Sequence, residues 1–394
     1  VNVAVIGAGV IGINTAYQLA KQGCNVSVFD RNSRVAAETS FANGGQISIS
    51  QPFPWNSPDV PRRLIKWLGR GDAPLLFRLQ PDPFMWKWGI DFLYSANKKS
   101  FFKNALKVLK LAHLSKQTFQ EINTAETFEF DHETRGILKL FSTKATAIEA
   151  EQLCEWLNKN GVNQKLLDQN ELEKIEPALA NAKTKLLGGT YSEIDESGDA
   201  RKFTDHMQRR CMDLGVEFKF DTEVADFIIK NHKVSAIKTS QNEIFEFDSV
   251  VICNGVNARF LGQKIGLKIP VYPVKGYSVS IPVGNKNTAP KVSITDMEQH
   301  VVMSRLGNRL RAAGTAEING YTTPPNRIRE DMVLSSVRGI FPDAGDFDGA
   351  ERWCGTRPMT TDCVPIIGPT PVKNLFLNVG HGHLVGPSVL DQQG

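Results

Sequence analysis

Gly7, Gly9 and Gly12 stand in a G-x-G-x-x-G spacing between VNVAVI, which reads as a buried strand, and a helical run from about Val10 to Lys21. NVSVFD then supplies a second strand that closes on Asp30, so the first thirty residues read as a β-α-β unit. In such a unit the first glycine permits the tight turn, the second lets a pyrophosphate approach the backbone, and the third lets helix and strand pack closely. The helix N-terminus offers unpaired N–H groups to the phosphates, and the acid at the strand end accepts ribose hydroxyls. Val5, Ile6, Gly7, Ala8, Gly9, Val10, Ile11 and Gly12 are therefore candidate dinucleotide-binding residues, with Asp30 and its neighbour Arg31. The competing reading is a glycine-rich structural turn. The fingerprint alone does not separate a nicotinamide from a flavin dinucleotide.

With 394 residues the chain is long enough for two domains or one large discontinuous one. Hydrophobic content of 41% and charged content of 22% suit a globular protein, and a net charge of +4 does not demand nucleic acid as a partner. The six cysteines are scattered without a CxxC pair, so neither a zinc site nor a disulfide framework is expected, and a reducing compartment is. A strand-like run at residue 1 argues against a signal peptide, and no apolar run approaches a membrane span. A cytoplasmic location is the expectation.

Residues 51–95 break the pattern with clustered Pro, Trp, Phe, Arg and Lys. A mostly helical stretch follows to about Gln120, then a strand at GILKLF and helices around 146–160 and 169–176. After a helix at about 201–214, VEFKF, VADFIIK, KVSAIKT and IFEFDSVVICNG read as successive strands. PVYPVKGYSVSIP, HVVMSRLGNRLRAAGTAE and NLFLNVG are further strands. The fold class is α/β (α+β), with two domains assembled from discontinuous pieces.

ETSFANGGQIS offers the hydroxyls of Thr39 and Ser40, the amide of Asn43, an unobstructed backbone at Gly44 and Gly45, and Gln46. Beside the fingerprint, it resembles the loop with which D-amino-acid-oxidase-type flavoproteins wrap FAD. PWNSPDVPRRLIKWLGRGDAPLLFRL, PVYPVKGYSVSIP, GTRPMTTDCVPIIG and NLFLNVGHG extend the likeness from Val1 to about Leu384. Together they resemble the bacterial D-amino acid dehydrogenase family, small subunit. The resemblance implies an FAD enzyme that converts D-amino acids to 2-oxo acids and ammonia by hydride transfer, with electrons passed to a quinone. It places Val224 against adenine, Gly255 near the cofactor, and Gly380, His381 and Gly382 along the flavin ring. It also suggests a Rossmann-type FAD-binding domain from 1–50, 195–260 and 350–394, and a mixed-sheet substrate domain with a helical insertion from 51–194 and 261–349.

Arg357, in CGTRPM, is the expected clamp for a substrate carboxylate, because a guanidinium pairs it in bidentate fashion. Tyr277 either bonds that carboxylate or borders the pocket, or, as an aromatic in a strand, belongs to the core. Lys275 reads equally as a flavin-edge contact or a solvated strand residue, His381 as a loop residue near flavin, and Glu317 has no assigned role. No side-chain base is nominated, since a departing hydride does not require one, and no metal is expected.

Trp55, Arg62, Arg63, Trp67, Arg70, Trp86, Lys87 and Trp88 suit either an interfacial membrane contact or a helical part of the substrate domain. Relatives in the resembled family are membrane-associated, so a peripheral position on the inner face of the plasma membrane is one expectation. The alternatives to the leading activity are a glycine- or sarcosine-type amine oxidase and a non-catalytic flavoprotein. The latter arises because the chain departs from the family at Val385, and more mildly at Cys354, Thr356, Thr361 and Cys363. Deleting one G from codons for Leu-Gly-Trp-Thr-Gln gives Leu-Val-Gly-Pro-Ser, the run found from Leu384 to Ser388. Val385–Gly394 are accordingly expected to be the family's continuation read one base out of step.

Overall fold

The computed structural model describes residues 1–394 except 68–69, 72, 79, 286–287, 322–323 and 383–394; the side chain of Trp67 is also outside the description. The expected out-of-frame segment, Val385–Gly394, lies outside the described residues. Among those described, the strands form a six-stranded sheet, a nine-stranded sheet, a three-stranded sheet and a two-stranded pairing. The chain is a mixed α/β protein.

The six-stranded sheet runs in the order Ile366–Pro369, Leu375–Val379, Ser249–Ile252, Asn2–Ile6, Asn25–Phe29, Glu217–Lys219. All neighbours are parallel except the first pair. Val3 to Ile6 are buried on both faces, which is why this strand reads as an unbroken apolar run rather than an alternating one. Helix Val10–Lys21 covers one face, packing Ile13, Ala16 and Tyr17 against Phe203, Met207 and Cys211 of helix Ala200–Asp213.

In the nine-stranded sheet the order is Glu351–Thr360, Val271–Pro282, Arg309–Ile318, Val301–Leu306, Ser293–Asp296, Ile137–Phe141, Gly188–Ser192, Lys165–Leu167, with Leu75–Phe77 added beside Arg309–Ile318. Strand Glu351–Thr360 departs from expectation, for its sequence position put it with the nucleotide-binding pieces. It pairs antiparallel with Val271–Pro282 without interruption from Val271↔Thr360 to Ser280↔Glu351. The chain returns to the six-stranded sheet only beyond it, at Ile366–Pro369. Arg357 therefore stands on the larger sheet.

Directly opposed residues share a sheet face. One such row crosses seven strands: Trp353, Ser278, Ala313, Val302, Thr295, Lys139 and Thr190. The row is the floor of the larger cavity described below. All six cysteines are free, and no helix among the described residues is long and apolar enough to cross a membrane.

Candidate active site

The β-α-β turn is built as its glycines require. Gly7 has φ +110°, and a Cβ there would lie 2.8 Å from the carbonyl oxygen of Cys253. A Cβ on Gly12 would lie 1.8 Å from the carbonyl oxygen of Gly7, so the helix can approach the strand only without one. Asp30 holds the turn from below: Oδ2 accepts from Ala8 N at 2.7 Å, and Oδ1 from Asn32 N at 2.8 Å. Ser40 Oγ accepts from Val10 N at 3.1 Å, which caps the helix from the ETSFANGGQIS loop. Arg31 donates through Nε to Glu38 at 3.0 Å and so pins the start of that loop.

These residues surround a cavity of about 170 Å³. Ile6, Gly7, Gly9, Val10 and Ile11 line one side, with Asp30, Arg31, Thr39, Ser40 and Asn43 beside them. Val224, Gly255, Gly380, His381 and Gly382 line the other. Val5, Ala8 and Gly12 do not line it: the first two are fully buried, and all three shape the turn from behind. Sequence reasoning missed Asn254 and Asn378, whose Oδ1 atoms are buried in this cavity without a hydrogen-bond partner. Asn254 sits inside the quoted VVICNG, so a polar side chain beside the flagged glycine was the available signal. The glycine cradle, the helix N-terminus, the Asp30 carboxylate and two orphaned amide oxygens fit a bound dinucleotide. His381 is buried, and burial pushes its imidazole down to about 4, so it is neutral at pH 7.

Thr39, Asn43 and Gly382 also line a second cavity of about 380 Å³, so the two abut there. Gly44, Gly45 and Gln46 line only the second. A Cβ on Gly44 would come within 2.2 Å of Val302 Cγ2, which shows how closely this loop lies on the sheet floor. Gln46 Nε2 donates to Ser293 Oγ at 3.0 Å and Thr295 Oγ1 at 3.1 Å, tying the loop down. Arg311 supports it too, donating from Nη1 to Asn43 O at 3.5 Å and from Nε to Ser280 Oγ at 2.7 Å.

Arg357 is partly exposed only because it faces this cavity, and burial away from solvent lowers its pKa to about 10. Among the described residues no carboxylate lies within 4 Å of its guanidinium. Nη1 donates to the carbonyl of Thr315 at 3.3 Å, and Cζ stands 5.3 Å from the ring centre of Trp55. A desolvated guanidinium stacked on an aromatic face and lacking a counter-ion is a ready anion site.

Tyr277 borders the cavity with its ring, but its hydroxyl donates to Glu317. Glu317 Oε1 also accepts from Arg78 Nε at 2.7 Å, so the unassigned acid joins the floor to the segment around residue 78. Burial and the carboxylate hold the Tyr277 phenol far above its usual range. Lys275 is not a solvated strand residue. It is 4% exposed, lines neither cavity, and donates to Pro324 O at 3.2 Å. The basic-aromatic stretch divides: Trp88 is core and donates to Met359 O at 3.0 Å, Trp55 stands over Arg357, and Trp86 remains 44% exposed. Around the Arg-Pro motif, Cys363 is buried core, Thr361 O accepts from Asn56 Nδ2 at 3.2 Å, and Thr356 O accepts from Thr39 Oγ1 at 2.7 Å.

A dinucleotide cradle that opens onto a cation-lined chamber is the site of a redox enzyme with a bound nucleotide cofactor. The chain belongs to the DAO family of FAD-dependent oxidoreductases, whose description it matches over residues 2–386. FAD is thus the dinucleotide cofactor of the family to which the chain belongs. A D-amino acid dehydrogenase of Paramagnetospirillum magneticum is 43% identical over 97% of this chain and 90% of its own length. One from Vibrio atlanticus is 38% identical over 97% of this chain and 91% of its own length. Glycine oxidase from Geobacillus kaustophilus shares the fold, with a TM-score of 0.74 and 22% identity over 97% of this chain and 89% of that one.

Proposed function

We propose that this chain oxidises D-amino acids to 2-oxo acids and ammonia, with Arg357 holding the substrate carboxylate. The carrying observation is the guanidinium of Arg357, buried in the larger cavity without a carboxylate partner. The D configuration is supported by relatives named D-amino acid dehydrogenase that cover almost the whole chain.

When bound, FAD supplies a two-electron acceptor for the hydrogen on the substrate Cα. The protein's own contribution is placement and electrostatics. Trp55 and the Thr315 carbonyl fix the plane of Arg357, and Arg357 fixes the carboxylate. The guanidinium's positive charge also disfavours the protonated form of the neighbouring substrate amine, which is the form that cannot lose hydride. Tyr277 acts as a positioning residue through Glu317, and neutral His381 closes the cofactor side without adding charge. The residues on the nucleotide side that would hold FAD are Asp30 and Gly7 to Ile11 in the smaller cavity, with Asn43 to Gln46 where the two cavities abut.

Electrons leave to a quinone or another acceptor. A peripheral membrane position is supported by helix Pro83–Tyr94, which turns Met85, Trp88 and Phe92 inward and leaves Trp86, Ile90, Leu93 and Tyr94 exposed beside Lys87. Sedimentation with anionic vesicles, lost in I90E, tests that position. The activity is tested by mixing the flavin-loaded protein anaerobically with D- and L-amino acids and following the flavin absorbance. Bleaching by D-amino acids alone is expected, and R357A should raise the concentration required at least 100-fold. Failure of every D-amino acid to bleach the flavin overturns the proposal. Reoxidation by a soluble quinone but not by oxygen is the expected second half of the cycle.

A further inference from the structure

The floor of the larger cavity does not end at the anion slot. Past Thr295 it reaches Lys139, whose side chain is 8% exposed and lines the cavity. Its ammonium donates to Ser50 O at 2.6 Å. Among the described residues no carboxylate comes within 4 Å of it. The carboxylate whose charge reaches it, Asp195, is occupied by Ser48 Oγ at 2.9 Å and Ile49 N at 2.8 Å. Gln164, 5% exposed, lines the same end, and its Nε2 has no hydrogen-bond partner. The backbone of Gln164 is fixed from both sides by Asn158, which accepts from its N–H at 2.8 Å and donates to its carbonyl at 3.0 Å. The facing wall is apolar: Phe53, Phe101, Ala150 and Leu153. Glu149, at the rim, has its charge taken by Arg63 at 2.9 Å. This end thus holds an ammonium with donors to spare and an orphaned amide donor inside an apolar enclosure, a pairing that carries a cost unless an acceptor arrives.

We propose that Lys139 and Gln164 form a side-chain subsite for a hydrogen-bond-accepting terminus, carboxylate or carboxamide, on the D-amino acid that Arg357 holds. The inference rests on the D-amino acid reading and names the substrate class within it. The separation agrees with such a length. The Arg357 guanidinium lies over Gly276 and reaches Thr315 O, on the strand Arg309–Ile318. The strand of Lys139 lies three places further on, roughly 14 Å at about 4.8 Å per strand. A five-carbon amino acid reaches further across that gap than D-alanine does. D-glutamate and D-glutamine are the probes that fit, and D-norvaline is the apolar control of similar length.

The test compares kcat/KM for D-glutamine and D-glutamate with that for D-norvaline in the flavin-loaded protein. The wild type should prefer the acceptor-terminated pair, and Q164L should lower that preference by about 10-fold, as expected for a lost buried hydrogen bond. K139M should lower it by 10- to 100-fold for D-glutamate, since that bond is charge-assisted. Q164L removes a group with no protein partner, so folding is not at stake, and K139Q keeps a donor for Ser50 O while removing the charge. The loss should appear in KM. A preference ratio that stays the same in Q164L and K139Q overturns the subsite. Wild-type turnover of D-norvaline reports separately on the parent reading: with it intact and the ratio unmoved, only the subsite fails.

Discussion

The guanidinium of Arg357 occupies the space that a side chain at Gly276 would fill: a Cβ on Gly276 would lie 2.0 Å from Nη1 and 2.3 Å from Cζ. The two residues sit on adjacent strands, paired Val274↔Arg357 and Gly276↔Gly355. The missing side chain is what lets the arginine lie flat across the sheet toward Thr315. G276A should therefore displace Arg357 while leaving the cofactor cradle untouched. The expected outcome is a loss of about 100-fold in kcat/KM for the amino acid, at normal flavin content, since a misplacement of about 1 Å costs that much. Steady-state kinetics with the flavin absorbance ratio as control checks it.

Gly12 carries the corresponding constraint for the cofactor. A methyl group there meets the Gly7 carbonyl at 1.8 Å, and neither backbone can yield without opening the helix–strand contact. G12A should purify largely free of flavin and destabilise the protein by about 1–3 kcal/mol, the usual range for overpacking. Flavin content per chain and urea unfolding measure the two effects.

Tyr277 separates a positioning role from a binding one. With its hydroxyl on Glu317, Y277F leaves that buried acid with Arg78 and one donor fewer. A stability loss of about 1–3 kcal/mol is expected from the unmet acceptor, with KM for D-amino acids changed less than about threefold. A tenfold rise in KM without loss of stability would instead place the phenol on the substrate.

His381 predicts a pH dependence of stability. Its pKa is about 4 in the fold against 6.5 when unfolded, because burial disfavours the charged ring. Between those values the unfolded chain holds a proton that the native one lacks, so stability is full above about pH 6.5 and falls as pH drops toward 4. H381N should flatten this limb when urea midpoints are compared at pH 7.5 and 5 with FAD in excess.

The cradle was legible in the sequence because glycine spacing, strand and helix are all local: Gly7, Gly9, Gly12 and Asp30 are adjacent along the chain before they are adjacent in space. Gly255 and Gly380–Gly382, brought to the same cavity from positions more than 200 residues further along the chain, were found through resemblance and not through spacing. The larger cavity was less legible. Its floor is a cross-strand row whose members are up to about 210 positions apart, and register between distant strands leaves no mark in a single sequence. Lys139 within GILKLF carries no mark of a cavity in the sequence, for the whole strand is buried and only its register places the lysine on the floor. The Tyr277–Glu317–Arg78 chain was invisible for the same reason, as three residues on three separate segments.

The bond from Thr39 Oγ1 to Thr356 O joins the cofactor loop to the strand one residue before Arg357. With Arg357 holding the substrate carboxylate and this loop holding FAD, as proposed above, cofactor retention and substrate affinity should be coupled quantities, since coupling between binding sites is reciprocal. An unreactive carboxylate bound at Arg357 should then steady the strand against which the loop closes. In storage or purification such a carboxylate is expected to act as a preservative of the flavin, at a distance from the flavin itself.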